Sequence, residues 1–288
     1  MSVSRFLIQA DELEPLLGDQ NLRLYDCTTW LKPDPPRIYR AESGLASFEE
    51  SHIPGANFLD LVENLSGSGA SFNFMMPSPP TLSAALEAAG VGDSSNVGLY
   101  SRANIQWATR VWWMMRAIGF DRASVLDGGI DKWEAEGRPT TSEITPYPAA
   151  TLSSPQARMG LFCGKEEVLS DLENNKVCII NALRETLHKG SETLHHGRPG
   201  RIPGSCNVPA VSLLDPKTKA YRPLAELKSL FQEAGALDAD KVVIYCGGGI
   251  AASSDAFILT LLGKSNVTVY DASLSEWAND LSLPMETG

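Results

Sequence analysis

A single cysteine in the C-terminal half of the sequence has the surroundings of a nucleophile. Cys246 ends an apolar run and is followed by three glycines, Gly247, Gly248 and Gly249. The thiolate is the reactive form of cysteine, and backbone N–H groups at a helix N-terminus stabilise it, with pKa values of about 3.5–7.5. Glycines leave such N–H groups accessible. The pattern predicts a thiolate that attacks sulfur and a loop that can also hold a persulfide anion; the alternative is a buried structural cysteine.

The elements that must position this cysteine follow from the surrounding pattern. The apolar, β-branched residues Lys241–Tyr245 predict a buried strand of a parallel sheet. A helix is predicted to follow, with residues 253–255 in its first turn and Gly263 at its end. Cys246 would then lie at the carboxyl end of a strand, in a loop leading to a helix N-terminus, which favours anions. Further upstream, the proline-rich segment 33–36 predicts a loop.

The composition restricts the class of protein. The 288 residues are 43% hydrophobic and 20% charged, which is typical of a soluble protein with two domains. The chain has 24 basic and 35 acidic residues, a net charge of −11, so neither nucleic acid nor an anionic membrane is expected as a partner. The five cysteines include no CxxC pair and favour reduced thiols. Without a predicted secretory signal, we expect a cytoplasmic protein that uses no metal or cofactor.

The second half of the sequence repeats motifs of the first half in the same order. The offsets between paired positions fall between 144 and 155 residues, and the pairs are Asp26 with Asn181, Ile53-Pro54-Gly55 with Ile202-Pro203-Gly204, Ser101 with Cys246, and Trp133 with Trp277. Such a repeat predicts two copies of one α/β unit, each a mostly parallel sheet flanked by helices.

The repeat also predicts the domain organisation. Residues 1–140 are expected to form a non-catalytic domain, because Ser101 stands where the second copy has Cys246. Residues 161–288 are expected to form the catalytic domain. Residues 141–160 are the expected linker, since this region is rich in threonine, serine, proline and alanine.

Several motifs together connect the sequence with a known family. They are SHIPGAN and RIPGSCNVP, VWWMMRAIGF followed by VLDGGIDKW, the strand and cysteine of KVVIYC, and VYDASLSEW. Their order and double occurrence resemble the tandem-domain rhodaneses, which comprise thiosulfate and 3-mercaptopyruvate sulfurtransferases. The resemblance implies two rhodanese-like domains and covalent catalysis in two steps. Cys246 would take a sulfur from a small anionic donor, become a persulfide and pass the sulfur to a thiol or cyanide acceptor.

The loop after the cysteine bears on the donor. It resembles the neutral Cys-Gly-Ser-Gly-Val-Thr-Ala loop of mercaptopyruvate enzymes more than the cationic loop of thiosulfate enzymes, although Gly248 replaces its serine and Ala251 its threonine. The resemblance therefore favours 3-mercaptopyruvate over thiosulfate. The substrate-binding groups expected from it are the backbone N–H groups of Gly247, Gly248, Gly249, Ile250, Ala251 and Ala252.

Cationic residues near the second IPG motif are the expected anchors for the carboxylate or sulfonate of a donor. We expect Arg198 or Arg201 to hold this group, and Arg184 is a further local cation. His195 and His196 precede Arg198 and are candidates for a proton shuttle, or else ordinary surface histidines.

Two other functions are open from the sequence. A cysteine phosphatase or arsenate reductase has a similar anion-binding loop but needs an arginine at the sixth position after the cysteine, where Ala252 stands. A non-catalytic persulfide carrier or binding module is the other possibility, because the loop lacks the hydroxyl groups of the mercaptopyruvate enzymes.

Overall fold

The N-terminal half of the chain forms a parallel sheet. The computed structural model describes residues 6–67, 72–153 and 155–288. The first sheet has five strands in the spatial order β1-β7-β6-β2-β5. These strands are β1 (Leu7–Ile8), β2 (Leu22–Asp26), β5 (Asn57–Phe58), β6 (Asn96–Tyr100) and β7 (Ala123–Leu126). Between β2 and β5, the strands β3 (Thr29–Asp34) and β4 (Arg37–Ser43) form an antiparallel hairpin.

The C-terminal half forms a second five-stranded parallel sheet, in the order β10-β9-β11-β12-β8. Its strands are β8 (Phe162–Cys163), β9 (Val177–Asn181), β10 (Cys206–Asn207), β11 (Lys241–Tyr245) and β12 (Val267–Tyr270). When β2 is paired with β9 and β6 with β11, as the sequence repeat requires, the two sheets have the same strand order. The structure therefore confirms two copies of one α/β unit.

Helices connect and cover the strands in both halves. They are α1 (Ala10–Leu13), α2 (Leu45–Glu50), α3 (Pro79–Ala88), α4 (Gln106–Ala117), α5 (Gly129–Ala135), α6 (Lys165–Asp171), α7 (Glu185–His188), α8 (Leu224–Glu233), α9 (Ile250–Leu261) and α10 (Ser273–Trp277). None of these helices combines the length and the apolar character needed to cross a membrane in the part of the chain that the structure describes.

The apolar core is shared between the two halves. Successive side chains of a strand face opposite sides of the sheet, so Val242 and Ile244 of β11 join a central cluster while Val243 and Tyr245 join an outer one. The central cluster also contains residues of the N-terminal sheet, such as Leu99. Burial of one continuous apolar cluster holds the two halves together.

Helices α4 and α9 form the centre of this shared core. The three tryptophans of α4, Trp107, Trp112 and Trp113, are at most 2% exposed. The ring of Trp112 meets Phe257 of α9 edge to face, with the ring centroids 4.8 Å apart. Contact through these helices brings the start of α9, and with it the predicted nucleophile, against the N-terminal half.

A buried ion pair reinforces the contact between the halves. Arg110 of α4 is fully buried and donates from Nη2 to Oδ1 of Asp271, which follows β12, at 2.6 Å. The same Nη2 donates to the carbonyl of Phe74 at 2.5 Å, and the backbone N–H of Met76 donates to the other oxygen of Asp271 at 2.7 Å. Each partner thus has one hydrogen bond besides the ion pair, while Nε and Nη1 of Arg110 are buried without a partner among the described residues.

Two local predictions from the sequence were partly wrong. In the segment 33–36, predicted as a loop, Pro35 and Pro36 form the turn of the β3–β4 hairpin, whereas Pro33 and Asp34 belong to β3, because pairing of Asp34 with Arg37 extends the strands up to the turn. Helix α9 begins at Ile250 rather than at residues 253–255, because the N-cap is Gly249. Residues 253–255 are buried in the second turn of α9 and do not cap it.

The predicted linker, residues 141–160, contains no helix or strand in its described residues. It packs along the N-terminal half, where the hydroxyl of Tyr147 donates to the carbonyl of Gly55 at 2.6 Å and accepts from the N–H of Leu24 at 3.1 Å. The bounds 1–140 and 161–288 for the two domains stay a prediction.

The buried pair gives a test of how the halves are joined. Arg110→Met should lower the free energy of unfolding by about 3–5 kcal/mol, because it leaves the carboxylate of Asp271 buried without its cation. Arg40→Met is the control, because Arg40 forms an exposed pair with Glu42 on the hairpin, and it should leave the urea midpoint nearly unchanged. Equal midpoints for the two variants would contradict a structural role for the buried pair.

Candidate active site

Cys246 lies at the carboxyl end of β11 and immediately before the N-terminus of α9, as the sequence predicts. Its side chain is 2% exposed and lines a cavity of about 340 Å³ between the two halves of the chain. The N-terminal end of α9 adds the partial positive charge of the helix dipole to this end of the loop.

Close packing requires two of the three glycines in the loop. Gly249 has φ of +76°, and a Cβ atom there would lie 2.8 Å from the carbonyl oxygen of Asp271. A Cβ atom on Gly247 would lie 2.1 Å from the ring of His196. A Cβ atom on Gly248 would meet no atom closer than 3.8 Å, so the serine of the resembling loop would fit there. Its absence here leaves space in the cavity.

The loop is held from behind by the segment that follows β12. The hydroxyl oxygen of Ser273 accepts from the N–H of Cys246 at 3.0 Å and from the N–H of Gly249 at 3.2 Å, and it donates to the carbonyl of Tyr270 at 2.7 Å. Ser273 itself has φ of +52°, a conformation that is uncommon for a residue with a side chain. This single hydroxyl therefore fixes both ends of the loop.

Two carbonyl groups of the loop point towards α10. The carbonyl of Cys246 accepts from the N–H of Leu274 at 3.1 Å. The carbonyl of Gly247 accepts from the N–H and the hydroxyl of Ser275, at 2.9 and 2.7 Å. In a trans peptide the C=O and N–H bonds point in opposite directions, so the N–H groups of Gly247 and Gly248 must point away from α10.

These N–H groups are available to a ligand. Among the described residues, no backbone or side-chain oxygen accepts a hydrogen bond from the N–H of Gly247 or Gly248. The backbone of the loop can therefore bind an anion next to Cys246, and the start of α9 at Ile250 extends the same surface.

The N-terminal half supplies one wall of the cavity. The hairpin contributes Leu31, Ile38 and Tyr39, and the segments around α3 and α4 contribute Phe74 and Trp107. Burial raises the pKa of Tyr39 to about 12, and the nearby Cys246 adds to this rise. The phenol of Tyr39 is consequently neutral at physiological pH.

The C-terminal half supplies the facing wall, which includes His196. Its ring lies edge to face against Tyr39, with centroids 6.0 Å apart. Burial, together with smaller contributions from the nearby Arg184 and His195, lowers the pKa of His196 to about 4. The imidazole of His196 is therefore neutral at physiological pH. His195 does not reach the cavity, and its Nε2 lies 2.6 Å from the carbonyl of Glu192.

The predicted donor anchors Arg198 and Arg201 lie outside this cavity. The guanidinium of Arg198 donates to backbone carbonyls of Ala278 and Asp280, at 3.0 and 2.6 Å. Arg201 pairs with Glu286 near the C-terminal end of the chain. Both guanidinium groups are bound by a segment that is about 80 residues further along the chain, and the role of these two residues as donor anchors stays a prediction.

The arginine that does line the cavity is Arg184, directly before α7. Both Nε and Nη2 of Arg184 donate to the carboxylate of Glu192. No group of three or more metal-ligating side chains is found in residues 6–67, 72–153 and 155–288.

Tyr39, Phe74 and Ser273 belong to the site but were not predicted. The two aromatic residues come from the other half of the chain, and no local pattern connects them with Cys246. Ser273 lies in the VYDASLSEW motif, which was used only to recognise the family resemblance. The signal available in the sequence was a hydroxyl residue shortly after β12, a strand of the same sheet as β11.

Comparisons with known proteins identify the family of this chain. The rhodanese-like domain family matches residues 9–136 and 166–280. A 3-mercaptopyruvate sulfurtransferase of Rattus norvegicus is 31% identical over 272 residues, which cover 93% of this chain and 89% of the relative. A thiosulfate sulfurtransferase of Cricetulus griseus is 31% identical over 265 residues, which cover 89% of this chain and 84% of the relative.

A solved structure supports the same assignment. The crystal structure of SseA from Escherichia coli, a 3-mercaptopyruvate sulfotransferase, aligns with a TM-score of 0.80 and 26% identity, covering 94% of this chain and 99% of that chain. Two family matches, relatives along nearly the whole length and a shared fold lead to one conclusion. The chain belongs to the rhodanese family and carries two rhodanese-like domains in tandem.

Proposed function

We propose that this protein is a sulfurtransferase that moves a sulfane sulfur from a small anionic donor to a thiol or cyanide acceptor through a persulfide on Cys246. The observation that carries the proposal is the direction of the loop. The carbonyls of Cys246 and Gly247 are bound on the side of α10, so two free N–H groups face away from α10 beside the thiol. Family membership and the names of the relatives support the same reaction class.

The first half-reaction forms the persulfide. The Cys246 thiolate attacks the sulfur of the donor, and the bond between that sulfur and the rest of the donor breaks. With thiosulfate, the electron pair leaves with sulfite. With 3-mercaptopyruvate, the electron pair of the C–S bond stays on the methylene carbon. This carbon takes the proton of the donor thiol and gives pyruvate. The free N–H groups of Gly247 and Gly248 stabilise the anionic sulfur in both cases.

The second half-reaction regenerates the thiolate. An acceptor thiolate or cyanide attacks the outer sulfur, the S–S bond at Cys246 breaks and the electron pair returns to the cysteine. Because the loop binds an anion through main-chain dipoles, it can stabilise both the thiolate that attacks the donor and the persulfide anion that this attack produces.

We favour 3-mercaptopyruvate over thiosulfate as the donor. The loop from Gly247 to Ala252 has no cationic side chain, and the arginine at the cavity, Arg184, is already paired with Glu192. A doubly charged donor gains less from such a site than a donor with one carboxylate. The cytoplasmic location expected from the sequence stays a prediction.

Mass measurement of the intact protein tests the covalent step. Incubation with 3-mercaptopyruvate should add about 32 Da, the mass of one transferred sulfur atom, and peptide mapping should place it on Cys246. Mapping is needed because Cys206 is an exposed thiol. Cys246→Ser should lose the added mass and Cys206→Ser should keep it. A sulfur that persists in Cys246→Ser would contradict the mechanism.

Turnover with an acceptor separates an enzyme from a carrier. Repeated release of pyruvate in the presence of a thiol or cyanide supports an enzyme. One equivalent of persulfide without further turnover would instead support a persulfide carrier, the alternative suggested by the missing hydroxyls of Gly248 and Ala251.

The role of Ser273 gives a second test. Ser273→Ala should slow persulfide formation by about tenfold to a hundredfold, because two N–H groups lose their acceptor and the loop shifts relative to the donor. Ser254→Ala is the matched control, since Ser254 is also buried but bonds to Tyr221 at 2.7 Å rather than to the loop. Similar rates of persulfide formation for both variants would rule out the proposed support of the loop.

The electrostatics of His196 predict a pH effect. Its folded-state pKa of about 4 lies below the ordinary value of 6.5, so the unfolded chain binds more protons between these values. Stability should therefore fall as the pH falls through this window, by up to about 1.4 kcal/mol per pH unit from this group. Urea unfolding at pH 7.5 and pH 5 should show a smaller loss in His196→Gln than in the parent. An equal loss would show that His196 is not held neutral.

A further inference from the structure

The cavity above Cys246 has mainly apolar walls. The hairpin contributes Leu31 and Ile38, the rest of the N-terminal half contributes Phe74 and Trp107, and the C-terminal half contributes Leu187. Leu31 is 43% exposed, which leaves apolar area in contact with water. A ligand that covers this area with an apolar group would gain hydrophobic free energy.

The charges of the described wall are balanced. The cation at the cavity, Arg184, is neutralised by Glu192. Tyr39 and His196 are uncharged at neutral pH because their pKa values are about 12 and about 4. The loop at Cys246 can bind one small anionic group, but the side chains of the described wall offer little attraction for a second charge.

The size of the cavity exceeds the needs of a small donor. Its volume of about 340 Å³ falls within the range of about 300–1,000 Å³ that is typical of pockets for drug-sized ligands. A donor of a few heavy atoms binds next to Cys246 and leaves the apolar wall uncovered. Once the product of the donor leaves, the transferred sulfur lies at Cys246 and the remaining space is available to the acceptor.

We propose that the acceptor is an organic thiol that carries an aromatic or branched alkyl group, and that Leu31, Ile38 and Phe74 bind this group. The inference rests on the proposed function and specifies its second half-reaction. The apolar group lies against the wall and directs the acceptor sulfur towards the persulfide on Cys246.

The transfer step is balanced. The persulfide anion on Cys246 first takes the proton of the acceptor thiol, and the acceptor thiolate then attacks the outer sulfur of the Cys246 hydropersulfide and forms a new S–S bond. The S–S bond to Cys246 breaks, and the cysteine leaves as a thiolate with the electron pair. The proton of the hydropersulfide stays on the transferred sulfur, so the acceptor becomes a hydropersulfide.

A single-turnover experiment with two thiols tests the proposal. The protein is converted to its persulfide, freed of donor and mixed with phenylmethanethiol or 2-mercaptoethanol, two thiols of similar acidity. The loss of the persulfide mass gives each rate. The ratio of the two rates is compared with the same ratio for glutathione persulfide, which has no cavity. We expect the ratio on the protein to be at least about tenfold higher, since each buried methylene group contributes about fourfold.

A matched pair of variants locates the effect. Leu31→Ser should lower the ratio by about threefold to tenfold, because it removes apolar area from the wall. Leu224→Ser is the control, since Leu224 is also 43% exposed but lies at the start of α8, outside the cavity. Both residues are exposed enough for the variants to fold.

The outcomes separate this inference from the proposed function. A ratio equal to that of glutathione persulfide, or an equal effect of Leu31→Ser and Leu224→Ser, would overturn the apolar acceptor while leaving persulfide formation intact. Failure to form any persulfide would overturn the proposed function itself, and the acceptor inference with it. A higher ratio that only Leu31→Ser reduces would support the inference.

Discussion

The orientation of two peptide groups is the constraint on which the site depends. The carbonyls of Cys246 and Gly247 are bound by the segment after β12, which leaves the opposite N–H groups facing away from α10. This arrangement requires donors behind the loop, which Leu274 and Ser275 supply, and room in front of it, which the glycines provide. Because peptide dipoles fixed in this way need no reorganisation when an anion forms, the loop can stabilise charge on sulfur without a cationic side chain.

The two halves of the chain share one topology but differ at the position of the cysteine. The first half has Ser101 in place of the cysteine, yet it supplies Tyr39, Phe74 and the hairpin to the cavity. Its Arg110 pairs with Asp271, only two residues before Ser273, so the interface between the halves and the support of the loop are adjacent. A single copy of the fold would therefore lack both a closed cavity and this buried partner.

The arginines in and near the site are bound by carboxylates or backbone carbonyls, so the site carries little net positive charge. Arg184 is paired with Glu192, Arg201 with Glu286, and Arg198 with backbone carbonyls, so these three cations of the C-terminal half already have partners. Neutral forms of Tyr39 and His196 complete a wall with little net charge. We therefore expect apolar contact and main-chain dipoles to be the main means of distinguishing ligands, because the cations already have partners.

The sequence by itself determined the repeated α/β fold and the position of Cys246, the proposed nucleophile, because both follow from local signals. Strands such as Lys241–Tyr245 are marked by consecutive β-branched residues, and three glycines after a cysteine mark a loop at a helix N-terminus. Only the tertiary structure decided which side chains surround Cys246. Arg198 and Arg201 lie in the same half of the chain as Cys246 but are bound outside the cavity, whereas Tyr39 comes from the other half and lines the cavity. Side-chain partners depend on contacts between distant segments, which local periodicity does not encode.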